Sequence, residues 1–432
     1  MPQALNCLTA CEAAALLHQR KIRSQDLVQA CLERVAERDA VVHAWAWISP
    51  ALAMAQAQAR DGEAPQGPLH GIPIAIKDVI DTCDMPTEMG SPLYARHQPR
   101  MDAAVVAQLR GAGAVILGKT VTAEFAGMAP TVTANPHNLA HTPGGSSSGS
   151  AAAVADKMVP IAFGTQTGGS ILRPASYCGV FGYKPTYGRI NRAGLKFAAE
   201  SIDTLGWMAR SLQDIALVDG VLSGGATTTL VAHRPLRIGL CRTFLWGKAL
   251  PETREAVERA AAALENTGIL VEEVDLPADF TGITRARQHI NDYERVHGLA
   301  HEWIHHRMQI SFELSESLVR GSALSESDYI SALRFSEDAR MRLDKWMEPF
   351  DAFLAPCVNG EAPKGLDYAG DPSFQALWTL LHVPVVGLPT HFGPKGLPVS
   401  IQIVGRRYGD ARLLQTALAI WEILEPLAQA KD

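Results

Sequence analysis

The chain has no long apolar run: no segment reaches the roughly 18 apolar residues that a membrane-spanning helix needs, so no membrane is expected as a partner. No basic leader opens it either, because residues 11–17 are apolar but short and follow polar residues, so no signal peptide is expected. Charge of one sign is missing as well. Lys and Arg number 39 against 45 Asp and Glu, a formal net charge of -6 with the two signs interspersed, which recommends neither a nucleic-acid groove nor an anionic surface and leaves a small molecule as the expected partner. The seven cysteines are odd in number, scattered and without a CxxC pair, which excludes a recognisable disulfide framework or zinc knuckle and fits reduced thiols in a cytoplasm. What is there in quantity is apolar residue: 47% of 432 residues, enough to fill a sizeable core.

Local signals alternate between helix and strand. Thr9 and Glu12 have capping-box spacing ahead of one apolar-periodic run, and Ser24 precedes a second that reaches about Glu37, so an outer helical layer is expected over about residues 1–60. A Pro-containing polar loop (61–70) leads into Gly71-Ile-Pro-Ile-Ala-Ile-Lys77, read as a buried strand ending in a charge. Asp102 is expected to cap a helix through Arg110, with a strand at 114–117 after it. Strand-like runs at 237–240, 269–274, 352–357 and 399–403 alternate with helical stretches at 252–267 and 284–308. The pattern implies an α/β layer fold, and with no internal repeat or long polar linker the expectation is one continuous domain over 1–432.

Three separated segments carry chemistry: the strand ending Lys77-Asp78, the loop Pro143-Gly-Gly-Ser146-Ser147-Ser148-Gly149-Ser150, and the turn Gly164-Thr165-Gln166-Thr167-Gly168-Gly169-Ser170. Amides are poor electrophiles with poor leaving groups, so cleaving one takes an activated nucleophile, a stabilised oxyanion and a proton for the departing nitrogen. A serine on a Gly-Gly turn can project its hydroxyl into a cleft, and glycines let the backbone N–H groups of Thr167, Gly168, Gly169 and Ser170 converge as an oxyanion hole. Lysine serves as a base only when neutral, which demands that its pKa fall from about 10.4 to about 7–8 by desolvation. The apolar approach to Lys77 suits that, and strand alternation turns Asp78 to the other face.

Taken together, these segments resemble the amidase signature family, and the resemblance extends from about Leu69 to Val218, through Phe181-Gly-Tyr-Lys-Pro-Thr-Tyr-Gly-Arg189 and Glu200-Ser-Ile-Asp-Thr-Leu-Gly206, with a weaker closing segment between Gly387 and Arg406. The resemblance implies a three-layer α/β/α fold with a central mixed twisted sheet and a site opening at a sheet edge. It implies Ser170 as nucleophile, Ser146 as a bridging serine after a cis peptide bond, and Lys77 as the base; the interval 170 − 146 = 24 favours Ser146 over Ser147 or Ser148, which are read as caps of the next helix together with Ser150. Gln166 stands where many members carry Asp, and Arg173 matches the malonamidase-like branch, in which the arginine binds a substrate carboxylate. The expected substrate is a small carboxamide, with no cofactor and no metal; a homodimer is compatible with the family.

Other readings remain. The chain could be the amidase-like component of an amidotransferase or of a hydrolase built from several chains, liberating ammonia for a partner. His301-Glu302-Trp303-Ile304-His305 matches the HExxH pattern of zinc hydrolases, against which stand a generally histidine-rich stretch and no spaced third ligand. Gly113-Ala-Val-Ile-Leu-Gly-Lys-Thr120 satisfies a P-loop pattern in letters only, since its interior reads as a strand following a helix.

Overall fold

The computed structural model describes residues 4–224 and 236–429. Its centre is one mixed sheet of eleven strands: β1 Trp45–Ile48, β2 Pro73–Lys77, β3 Val115–Thr120, β4 Ile161–Gln166, β5 Phe181–Lys184, β6 Thr204–Ala209, β7 Arg237–Leu240, β8 Leu270–Glu273, β9 Ala352–Pro356, β10 Val385–Phe392 and β11 Pro398–Val404. Across the sheet the order is β1-β3-β2-β4-β6-β5-β10-β11-β9-β7-β8. Strand β2 lies parallel to both neighbours, β3 and β4, while β4 meets β6 antiparallel. All residues of β2, β3, β4, β9 and β11 are buried; β2 and β9 accordingly appear in sequence as near-continuous apolar runs, whereas β11 alternates Val399-Ser400-Ile401-Gln402-Ile403 and buries its polar residues too.

Near the N-terminus the helices Ala10–His18, Ser24–Val42 and Pro50–Gly62 are interrupted by β1, which joins the sheet beside β3. The Thr9/Glu12 capping box forms. The second helix opens at Ser24, where the Asp61 carboxylate accepts the Ser24 and Gln25 N–H groups at 2.6 and 3.1 Å and the Ser24 hydroxyl donates to the Gly71 carbonyl. The capping oxygen arrives from 37 residues away, beyond any local spacing rule. Asp102 does not cap Ala104–Gly111; its carboxylate accepts from the Cys83 N–H at 2.8 Å and from Arg110 Nε at 3.0 Å. The P-loop lookalike is β3 itself, with Lys119 buried 3.2 Å from Asp78 and hydrogen-bonded to Thr87, so the strand reading holds. The stretch 284–308 breaks at Leu299 into Ile283–Gly298, Ala300–His305 and a 3-10 turn.

The small-residue helix Ser148–Ala155 lies directly against β2, β3 and β4. A Cβ at Gly149 would collide with the Ala44 carbonyl and the Val121 amide; only glycine lets the helix start this close to the strand ends. That approach places the Ser146 loop over the C-terminal end of β2. Because β2 and β4 are internal, the site opens at the ends of central strands and not along a lateral edge, where β1 and β8 lie.

Candidate active site

Strand β2 ends on Lys77, which is fully buried. Its Nζ donates to Ser146 Oγ at 2.8 Å and to Thr165 Oγ1 at 2.8 Å. Both acceptors are neutral, so nothing in direct contact repays the loss of hydration of a charged ammonium. Burial therefore dominates and pulls the pKa down to about 7, opposed by the carboxylate of Asp203. A depressed lysine is not by itself a catalytic mark: Lys184 is also pulled down to about 7 by burial, yet it donates to the carbonyls of Pro185 and Val383. Position beside two serine turns distinguishes Lys77. Asp78, on the other face, faces Lys119 instead.

The peptide bond between Gly145 and Ser146 is cis. The Ser147 N–H donates to the Ser170 carbonyl at 3.3 Å and the Ala123 N–H to the Ser146 carbonyl at 3.1 Å, fixing the two serine turns to each other and to the end of β3. Ser170 is 7% exposed and lines a cavity of about 270 Å³ together with Thr167, Gly168, Gly169 and Arg173. Lys77 and Ser146 are hydrogen-bonded; among the described residues Ser146 and Ser170 share no side-chain hydrogen bond. Catalytic hydrogen bonds of this kind often close only when substrate is in place.

Among the described residues, none of the N–H groups of Thr167, Gly168, Gly169 and Ser170 donates to a protein acceptor, whereas the next two in sequence, Ile171 and Leu172, both donate to Gln166 Oε1 at 2.9 and 3.0 Å. Gln166 thus caps the helix Leu172–Tyr177, and its Nε2 donates to Thr379 Oγ1 at 3.0 Å, while the Thr379 hydroxyl donates to the Gly168 carbonyl at 2.7 Å. An ideal Cβ on Gly169 would stand 2.5 Å from Gln375 Oε1, so any larger residue there would have to push the buried Gln375 side chain aside.

Several residues differ from expectation. Arg173 is 1% exposed; Nε and Nη2 donate to the Gly145 carbonyl at 3.2 and 2.6 Å, and Nη1 donates to the Gly370 carbonyl. With all three nitrogens on backbone carbonyls it holds the Ser146 loop, and the substrate-carboxylate role expected of it is not the one its geometry supports. Ser147, Ser148 and Ser150 do not cap: the Ser147 side chain makes no cap bond, and Ser150 Oγ donates to the Phe163 carbonyl at 2.8 Å, tying the helix to β4. In the HExxH segment, Glu302 turns inward to the Tyr94 hydroxyl at 2.6 Å and Lys196 Nζ at 2.7 Å while His301 and His305 are exposed. Among the described residues this segment assembles no group of three metal-ligating side chains.

Sequence reasoning missed Thr165 and Asp203. Thr165 and Thr167 share one face of the chain leaving β4; Thr165 accepts from Lys77, and the Thr167 hydroxyl donates to Asp203, whose other oxygen accepts the Ala198 and Ala199 N–H groups. A threonine alternation immediately before the Gly-Gly-Ser turn was the available signal.

The Amidase family profile matches residues 26–414. The chain belongs to the Amidase family. A glutamyl-tRNA(Gln) amidotransferase component from Roseiflexus castenholzii is 34% identical over 479 aligned residues, covering 97% of this chain and 96% of that protein; the protein of the same name from Moorella thermoacetica is 33% identical over 97% of each. Among solved structures, an amidase superposes with a TM-score of 0.87 at 30% identity, over 95% of this chain and 98% of that one. The peptide amidase of Stenotrophomonas maltophilia gives 0.83 at 29% identity over 97% of each chain. The α/β fold with its large mixed sheet is that of these amidases, and as an Amidase family member the chain is an amide-cleaving hydrolase. No helix of the described residues is long and apolar enough to cross a membrane.

Proposed function

We propose that the chain cleaves a small carboxamide through an acyl-enzyme on Ser170, using Lys77 as base and Ser146 as the proton bridge. The observation that carries this is the buried, partner-poor Lys77 amine hydrogen-bonded to Ser146 at 2.8 Å beside the Ser170 turn. Neutral Lys77 takes the Ser146 proton as Ser146 takes that of Ser170, and Ser170 Oγ bonds to the carbonyl carbon. The oxygen that becomes negative falls to the unspent N–H groups of residues 167–170, an arrangement whose single donors are worth about 3–4 kcal/mol in comparable enzymes. Ser146 then returns a proton to the nitrogen, the C–N bond breaks and Lys77 reprotonates Ser146. Water, deprotonated by the same relay, attacks the acyl carbon, and Ser170 leaves with its proton restored.

Where the nitrogen goes divides two readings. The relatives named as parts of glutamyl-tRNA(Gln) amidotransferases, matched over nearly their whole length, favour a chain that liberates ammonia within a complex of several chains for an acceptor such as glutamyl-tRNA(Gln). The amidase and peptide amidase structures favour a chain that hydrolyses its amide alone, in the cytoplasm, as a monomer or homodimer. Ammonia release by the purified chain from glutamine, malonamate, biuret and simple amides decides between them. Release by the chain alone at a turnover above about 1 per second, in the range of ordinary enzymes, supports the freestanding amidase. Activity that appears only with partner chains supports the amidotransferase reading, and no release in either condition overturns both.

A further inference from the structure

The cavity in front of Ser170 holds positive charge that the protein leaves unmet. Four arginines line it, Arg173, Arg287, Arg295 and Arg320, against two carboxylates, Asp292 and Glu313. Two of the four are committed: Arg173 to backbone carbonyls, and Arg320 to Asp292 at 2.8 Å. Asp292 is further occupied by the Ser317 hydroxyl at 2.6 Å and the Asn291 side-chain amide at 3.0 Å. Arg287, half-buried, makes no hydrogen bond and no ion pair among the described residues; Asp292 and Asp371 act on it only through space. Arg295 is 5% exposed, its Nε is buried without a hydrogen-bond partner, its Nη2 reaches only Asn291 Oδ1 at 3.4 Å, and Asp203 and Asp292 act on it through space without pairing to it.

Both groups stand near the reacting turn. An ideal Cβ on Gly168 would lie 3.9 Å from Arg287 Nη1, and one on Gly127, across the cavity wall, 3.8 Å from Arg295 Nη1. Arg287 and Arg295 belong to one helix, Ile283–Gly298, about 12 Å apart along its axis at 1.5 Å per residue, a separation that two long side chains can close at their tips. A guanidinium drawn partly out of water with no anion beside it is costly, and a planar carboxylate is the ligand whose geometry it matches. The cavity, at about 270 Å³, lies below the roughly 300–1,000 Å³ of sites for drug-sized ligands.

We infer that Arg287, backed by Arg295, is an anion subsite that takes a carboxylate carried by the substrate, so that the amide cleaved is a small one bearing an acidic group a few bonds from its carbonyl. This rests on the acyl-enzyme reading above for the location of the reacting carbon. It assigns to the helix Ile283–Gly298 the specificity that the sequence had placed on Arg173.

Two measurements test it. The first compares kcat/KM for malonamate and succinamate with that for the neutral malonamide and succinamide, in the unmodified protein and in Arg287→Met, Arg287→Lys and Arg295→Met. The expected result is a preference for the acids that falls roughly 10- to 100-fold in Arg287→Met, the range of a charge-assisted hydrogen bond, is partly restored in Arg287→Lys, and falls in Arg295→Met. The second needs no variant: malonate and succinate should inhibit the unmodified protein competitively and raise its unfolding midpoint more than the neutral diamides do. Equal rates on acids and neutral amides, or a preference unchanged in Arg287→Met, overturn the subsite while leaving amide cleavage standing. Dicarboxylate binding lost in Arg287→Met, with no ammonia from any amide, upholds the subsite and overturns the acyl-enzyme reading instead.

Discussion

Lowering the pH should switch the enzyme off through one group, and the structure gives the midpoint. In the proposed mechanism Lys77 acts only as the free amine, and burial against neutral hydroxyls pulls its pKa down to about 7. The neutral fraction is then about 9% at pH 6, about 50% at pH 7 and about 91% at pH 8, so kcat/KM should rise about tenfold between pH 6 and 8 and level off above. A solvated lysine at about 10.4 would give a hundredfold rise over the same interval and no plateau before pH 10. The sign at Asp203 follows from charge: its carboxylate favours the protonated lysine, so Asp203→Asn should move the acid limb to lower pH, not higher, while keeping one acceptor oxygen for the Ala198 and Ala199 amides. The assay is initial-rate ammonia release from a saturable amide between pH 5.5 and 9.5, with unfolding midpoints taken at each pH to separate titration from denaturation. A rate flat from pH 5.5 to 8, or one still climbing tenfold per unit above pH 8.5, would refute the assignment of a desolvated lysine base.

Gln166→Leu should leave the Ile171 and Leu172 amides without their acceptor, costing about 2–4 kcal/mol for two buried donors, read as a lower denaturant midpoint and a fall in kcat larger than the change in KM. His301→Ala with His305→Ala should retain activity, and a chelator should not remove it, because Glu302 is engaged with Tyr94 and Lys196; activity that disappears on chelation and returns with zinc would restore the metal reading. Arg173→Met should lower kcat for neutral and acidic amides alike, since it releases the Gly145 carbonyl; a selective loss on acids alone would return the carboxylate role to Arg173.

Part of the sheet is legible in the sequence: the segments 237–240, 352–357 and 399–403 fall within a residue or two of β7, β9 and β11, whereas β1, inside the expected helical layer, and β5, β6 and β10 are not among the expected strands. Lys77, Ser146 and Ser170 draw attention in the sequence because glycine spacing and a strand-end charge are local marks of chemistry, and the structure joins Lys77 to Ser146 and the Ser147 amide to the Ser170 carbonyl. What stays hidden is whatever depends on a partner far along the chain. Asp61 receives the first amides of the helix that Ser24 opens, Cys83 and Arg110 claim Asp102, and the carbonyls of Gly145 and Gly370 claim Arg173. Arg287 and Arg295 carry no motif at all; they stand out only once the fold sets them in the cavity that Ser170 lines, with no carboxylate ion-paired to either among the described residues.

The most direct test of the central claim is turnover by Ser170→Ala, followed as ammonia release on the best amide found for the unmodified protein. The account predicts a loss of at least about a thousandfold in kcat, as for removal of other serine nucleophiles, with the fold and the unfolding midpoint retained. Turnover at the unmodified rate would contradict it.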